Sequence, residues 1–73
     1  MIEVDKIPIR DDTIRLGQFL KLANLIESGA EAKGVIADGL VSVNGEVEQR
    51  RGRQLSPGDV VAVGGMTVRV ARV

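Results

Sequence analysis

Arg50, Arg51 and Arg53, interleaved with Gly52, are the residues whose types and spacing most directly suggest chemistry. A guanidinium is permanently charged and presents a planar fork of donors that fits phosphate. A glycine among such groups lets the backbone approach a ligand closely. The segment Glu48-Gln49-Arg50-Arg51-Gly52-Arg53 therefore reads as a phosphate-contacting loop, its plain alternative being a solvated surface loop. Lys33 and Lys21 gain relevance only if the fold brings them beside this loop, and Lys21 reads first as a solvent-facing helix lysine. Asp11 and Asp12 are of a type that serves metal or acid/base chemistry, but neighbours at a helix start point in different directions and no third ligand is evident. They read as helix-capping residues. The chain has neither cysteine nor histidine, which excludes disulfides, thiolate or imidazole metal sites and histidine-based catalysis. No catalytic residue, metal or cofactor is expected.

Positioning these groups falls to a chain of 73 residues, enough for one domain and near the lower size limit for a core without disulfides or metal. The expectation is a single domain over 1–73, with a lead-in strand in 1–12, a helix-turn-helix in 13–39 and β-hairpins in 40–73. Lysine plus arginine number 10 and so do aspartate plus glutamate, giving zero formal charge. Taken alone this argues against nucleic acid. The distribution softens it, since Glu3, Asp5, Asp11 and Asp12 precede Thr13 while the arginines cluster in one later segment. Phe19 is the single aromatic, so a base-stacking platform cannot be built, and any RNA must be read through shape and phosphates. The start of the chain has neither a basic nor an apolar leader region, and no stretch approaches a membrane span; a cytoplasmic location is expected.

Residues 2 to 9 alternate imperfectly and include Pro8, which suits an edge strand. Leu16, Phe19, Leu20, Ala23 and Ile26 recur at helical spacing, with Gln18, Lys21 and Asn24 on the other side and Asp11, Asp12 and Thr13 available as N-terminal caps. Gly17 weakens this helix locally. Ser28 and Glu31 have capping-box spacing for a second helix that buries Ala32, Val35 and Ile36 and stops at Gly39. From Leu40 the period becomes two. Around Asn44-Gly45 a three-residue loop, Val43-Asn44-Gly45, is expected, because it sets Val41 beside Val47 on the core face and leaves Ser42 and Glu46 wet. Ser56-Pro57-Gly58-Asp59 suits a type II turn. A tight Gly64-Gly65 turn aligns Val63 with Met66 and Val61 with Val68. The fold class is α+β.

The order Ile14-Arg15-Leu16, Phe19-Leu20, Ser28-Gly29-Ala30-Glu31-Ala32-Lys33, Val35-Ile36, Gly39, Val41-Ser42-Val43-Asn44-Gly45 and Pro57-Gly58-Asp59-Val60-Val61 resembles the S4 RNA-binding domain. The resemblance covers roughly residues 13 to 63, and within the family the chain looks like the short stand-alone bacterial YbcJ-like group. It implies the alpha-L fold, two short helices packed on a small, mostly antiparallel β-sheet. It also implies an RNA surface at Arg15, Ser28, Lys33, Arg50, Arg51 and Arg53, and a monomer that binds structured RNA, ribosomal or tRNA-like, with no DNA preference and no membrane partner. Many members have an arginine where this chain has Gly29, and an aspartate where it has Gly17. The first difference removes part of the usual phosphate clamp; the second puts an internal ion pair in doubt. A rival resemblance is to β-grasp sulfur-carrier or ubiquitin-like proteins, on Val43-Asn44-Gly45-Glu46-Val47, Pro57-Gly58-Asp59-Val60-Val61 and Gly64-Gly65, although such carriers need a free terminal Gly-Gly. A protein-interaction module using the sheet edge is a third reading.

Overall fold

The computed structural model describes residues 5–73; the first residues of the lead-in segment lie outside them. The elements run β1 (Asp5–Ile9), β2 (Ile14–Arg15), α1 (Leu16–Leu22), α2 (Gly29–Ala37), β3 (Val41–Val43), β4 (Glu46–Val47), β5 (Gln54–Leu55), β6 (Val60–Val63) and β7 (Met66–Arg72). Five strands form one sheet in the order β1-β7-β6-β3-β4, and β2 pairs with β5 in a separate two-stranded ribbon. All pairings are antiparallel except β1 with β7. The expected two helices on a mostly antiparallel sheet are thus present, and Pro8 lies on an edge strand as its missing N–H requires.

One core joins the layers. Leu16, Phe19 and Leu20 of α1 and Ala32 and Ile36 of α2 pack with Val41, Val43, Val61, Val68 and Val70 of the sheet, together with Ile9, Ile26 and Leu55. Both helices end in the same way. Asn24 at φ 60 and Gly39 at φ 76 occupy the left-handed position after the last turn. The amide of Asn24 bonds the carbonyl of Lys21 and that of Leu25 the carbonyl of Leu20; the amides of Gly39 and Leu40 bond Ile36 and Val35 in the same pattern. Each pair satisfies carbonyls that the helix leaves open. The first helix therefore stops at Leu22, and Ile26 reaches the core from the connection rather than from the helix.

The start of α1 corrects the expected caps. Arg15, not Thr13 or either aspartate, is the residue before the helix, and it makes no side-chain cap. Instead Leu16 N–H donates to the carbonyl of Arg53 at 2.8 Å and Gly17 N–H to that of Arg51 at 3.1 Å. A distant loop caps the helix, and Asp12 pairs with Arg72. At α2 the serine half of the capping box forms, Glu31 N–H donating to Ser28 Oγ at 3.2 Å.

The first hairpin is also a correction. Ser42 pairs with Val47 and Val43 with Glu46, which leaves a two-residue Asn44-Gly45 turn, both residues at positive φ as a type I′ turn requires. Val47 consequently points outward and is 65% exposed, whereas Glu48 is buried. The three-residue loop fails because β4 is a two-residue edge strand whose polarity is inverted: it has no inner valine, and the acid that follows it is neutralised inside the protein. The Pro57-Gly58 turn and the Gly64-Gly65 hairpin register agree with expectation. Gly64-Gly65 joins β6 to β7, and β7 is hydrogen-bonded on both sides, by β1 and β6. A diglycine held there is not the free acceptor tail a sulfur carrier uses.

Candidate nucleic-acid interface

The arginine loop is fastened to α1 by its own backbone and to α2 by one side chain. Its Arg51 and Arg53 carbonyls cap α1, the Arg53 amide returns to the Arg50 carbonyl, and Gln49 Nε2 donates to the Ala37 carbonyl at the end of α2. The β2–β5 ribbon, pairing Arg15 with Gln54, closes the loop against the start of α1. These bonds rule out a freely solvated loop. They also occupy the first two amides of α1.

The fold divides the three arginines between two adjoining depressions. Arg51 and Gly52 line a cleft of about 340 Å³ together with Arg15, Gly17, Gln18, Lys21, Gly29 and Ala32. Arg50 and Arg53 line a different depression, with Gly52 and Gln54. Among the described residues Arg15, Lys21 and Arg51 take part in no ion pair, so the first cleft gathers three uncompensated cations. Lys21, read from sequence as an ordinary surface lysine, belongs to this group. The signal was its spacing: Arg15, Gln18 and Lys21 recur every three residues, which places them on one side of the first helix. Lys33 and Ser28 are exposed on α2 but do not line the cleft, and the Ser28 hydroxyl oxygen already accepts from Glu31.

Gly17 has a role beyond local weakening of the helix. A Cβ built there would fall 2.7 Å from Arg51 Cγ and 3.3 Å from its Cδ. The bare glycine lets the arginine stem lie across the first turn of α1, so any side chain at this position must displace it. Opposite, Gly29 has open space around its Cα, consistent with a cleft wall that carries no side chain.

Glu48 was not legible as a site residue. It is 6% exposed and is the buried charge in this region. Its Oε2 accepts from Arg50 Nε and from the Arg50 backbone amide, both at 3.1 Å; its Oε1 accepts from Arg50 Nη2 at 3.2 Å and from Arg53 Nη1 at 3.0 Å. Hydrogen bonds from the Arg50 and then the Arg53 guanidinium hold its pKa down at about 2, and the same contact raises that of Arg50. A carboxylate whose folded pKa is depressed contributes stability above its unfolded pKa, and the contribution disappears as pH falls through the folded value. The Glu48 contribution to stability should therefore be full and independent of pH above about pH 5 and decline from there toward pH 2. Urea midpoints measured across this range should fall less steeply for Glu48→Gln than for the native protein; parallel curves would refute the assignment.

Comparison with known proteins identifies the family and the fold. Residues 7–71 match the S4 domain family. The chain is 53% identical over 60 residues to the probable ribosome maturation protein RlbA of Bacillus subtilis (strain 168), covering 80% of this chain and 84% of that protein. It is 42% identical over 57 residues to the putative RNA-binding protein YbcJ of Escherichia coli (strain K12), covering 78% and 81% respectively. Among solved structures, the 30S ribosomal protein S4e from Thermoplasma acidophilum superposes with a TM-score of 0.63 at 25% identity, over 82% of this chain. The chain spans about a third (32%) of that larger protein.

Proposed function

The chain belongs to the S4 domain family, and from that membership and its surface we propose that it is a non-catalytic protein that docks on structured RNA, ribosomal RNA or its precursor, in the cytoplasm. The observation that carries the reading is the convergence of Arg15, Lys21 and Arg51 on one cleft with no acidic partner among the described residues. Cations so placed attract phosphate even though the formal charge of the whole chain is zero. The ribosome-maturation relative is what favours a ribosomal target over a tRNA-like one.

On this reading Arg15, Lys21 and Arg51 contact phosphate directly, with Arg50 and Arg53 at the rim and Lys33 and Ser28 on the adjoining α2 surface. Contacts fall mainly on phosphate and sugar, because Phe19 is the single aromatic and is fully buried. Sequence specificity is therefore low, and the protein acts as a monomer without cofactor. Titration of refolded bacterial small-subunit ribosomal RNA at several salt concentrations tests this. Log affinity should fall linearly with log salt, with a slope of up to about −0.9 per phosphate contact, the duplex-DNA value serving as a guide. Affinity independent of salt, or absent for every structured RNA tried, would exclude the proposal.

A further inference from the structure

We infer that Glu48 is a positioning residue for RNA binding: its buried carboxylate holds the Arg50 and Arg53 side chains in their binding arrangement before RNA arrives. The inference rests on the RNA-binding reading above. Glu48 engages Arg50 through a two-bond fork, Nε to Oε2 and Nη2 to Oε1, adds the Arg50 amide, and takes Arg53 through Nη1. Despite this grip the Arg50 side chain is 78% exposed, while that of Arg53 is 31% exposed. Arg50 is thus fixed and presented together, because a guanidinium has five N–H donors and the fork uses only two of them. Arg53 is the deeper strut, and its carbonyl caps α1. The two arginines line the depression beside Gln54, which adjoins the Arg51 cleft at Gly52, so Glu48 organises a second contact surface on the same loop.

The inference predicts a sign opposite to that of simple electrostatics. Glu48→Gln removes a negative charge from beneath an RNA-facing surface, which on charge alone should tighten binding. Ordering a long side chain at an interface costs roughly two- to tenfold in affinity, and Glu48 has already ordered two. The variant should therefore bind refolded small-subunit ribosomal RNA about five- to tenfold more weakly, and the loss should shrink when Glu48→Gln is made in an Arg50→Ala background, which leaves only Arg53 to be ordered. Native-strength or tighter binding by Glu48→Gln overturns the inference, as does a loss that persists in full without Arg50. Absence of salt-dependent binding by the native protein overturns the RNA reading instead, so the two failures are distinguishable. The native protein also supplies a measurement that needs no folded variant. Nitrogen relaxation of the Arg50 Nε–H in the absence of RNA should show an ordered side chain, and motion as free as that of exposed Arg10 would overturn the inference.

Discussion

Phe19→Ala should cost about 3–5 kcal/mol of folding stability. Phe19 is fully buried on α1 and is among the largest side chains of the core, which it shares with Leu16 and Leu20 of the same helix and with valines of the sheet. Truncation removes the transfer energy of the ring and leaves a void that α1 cannot readily close. The helix is tied at its start to the Arg51 and Arg53 carbonyls and at its end by the Asn24 and Leu25 amides. A domain of 73 residues has roughly 4–11 kcal/mol of stability in total, so this loss removes a large share of it. Phe19→Leu, which keeps most of the volume, should cost roughly 1.5 kcal/mol or less. With no tryptophan or tyrosine in the chain, urea unfolding is best followed by far-ultraviolet circular dichroism. An unchanged midpoint for Phe19→Ala would mean that α1 is not anchored through this ring.

The second large effect is on binding. Replacing Arg15, Lys21 and Arg51 together by glutamine should lower affinity for structured RNA by roughly two to three orders of magnitude near 0.1 M salt and make the log–log salt slope shallower by up to about 2.7, if each cation meets one phosphate. Glutamine retains part of each aliphatic stem, and the Arg51 stem packs over Gly17, so the local packing should survive. This set is a cleaner test than the loop triple Arg50, Arg51 and Arg53. Removing both partners of Glu48 strands a buried carboxylate and weakens the fold as well as the surface. A cleft variant that stays folded, binds RNA at native strength and keeps the native slope would move the interface elsewhere on the molecule.

The departures from the resembling family acquire structural readings. At Gly29, where many members have an arginine, the cleft wall is bare, but Arg51 reaches the same cleft from the loop by lying over Gly17. The two glycines thus belong to one arrangement, one leaving the cleft open and the other admitting the Arg51 stem. An aspartate at position 17 would have to share space with that stem.

Residue type and spacing by themselves determined the α+β class, the two helices, the Ser28 cap, the stop at Gly39, the Pro57-Gly58 turn and the Gly64-Gly65 register. Each depends on backbone preferences within a few residues, which local sequence encodes directly. The resemblance added Arg15, Ser28 and Lys33 to the arginine loop that residue type had already singled out. Tertiary structure alone decided the cap of α1, the polarity of β4 and the composition of the cleft. The aspartates near α1 were reasonable local caps, yet loop carbonyls more than thirty residues later occupied its amides. Val47 is expected on the core face, yet it is exposed and Glu48 is buried instead, where Arg50 and Arg53 meet it. Lys21 and Arg51 are thirty positions apart and meet only because the loop folds back on the first helix. Local pattern reveals which groups can carry charge; which of them gather in one cleft is settled by the tertiary fold, since the loop folds back on α1 and brings Arg51 beside Arg15 and Lys21.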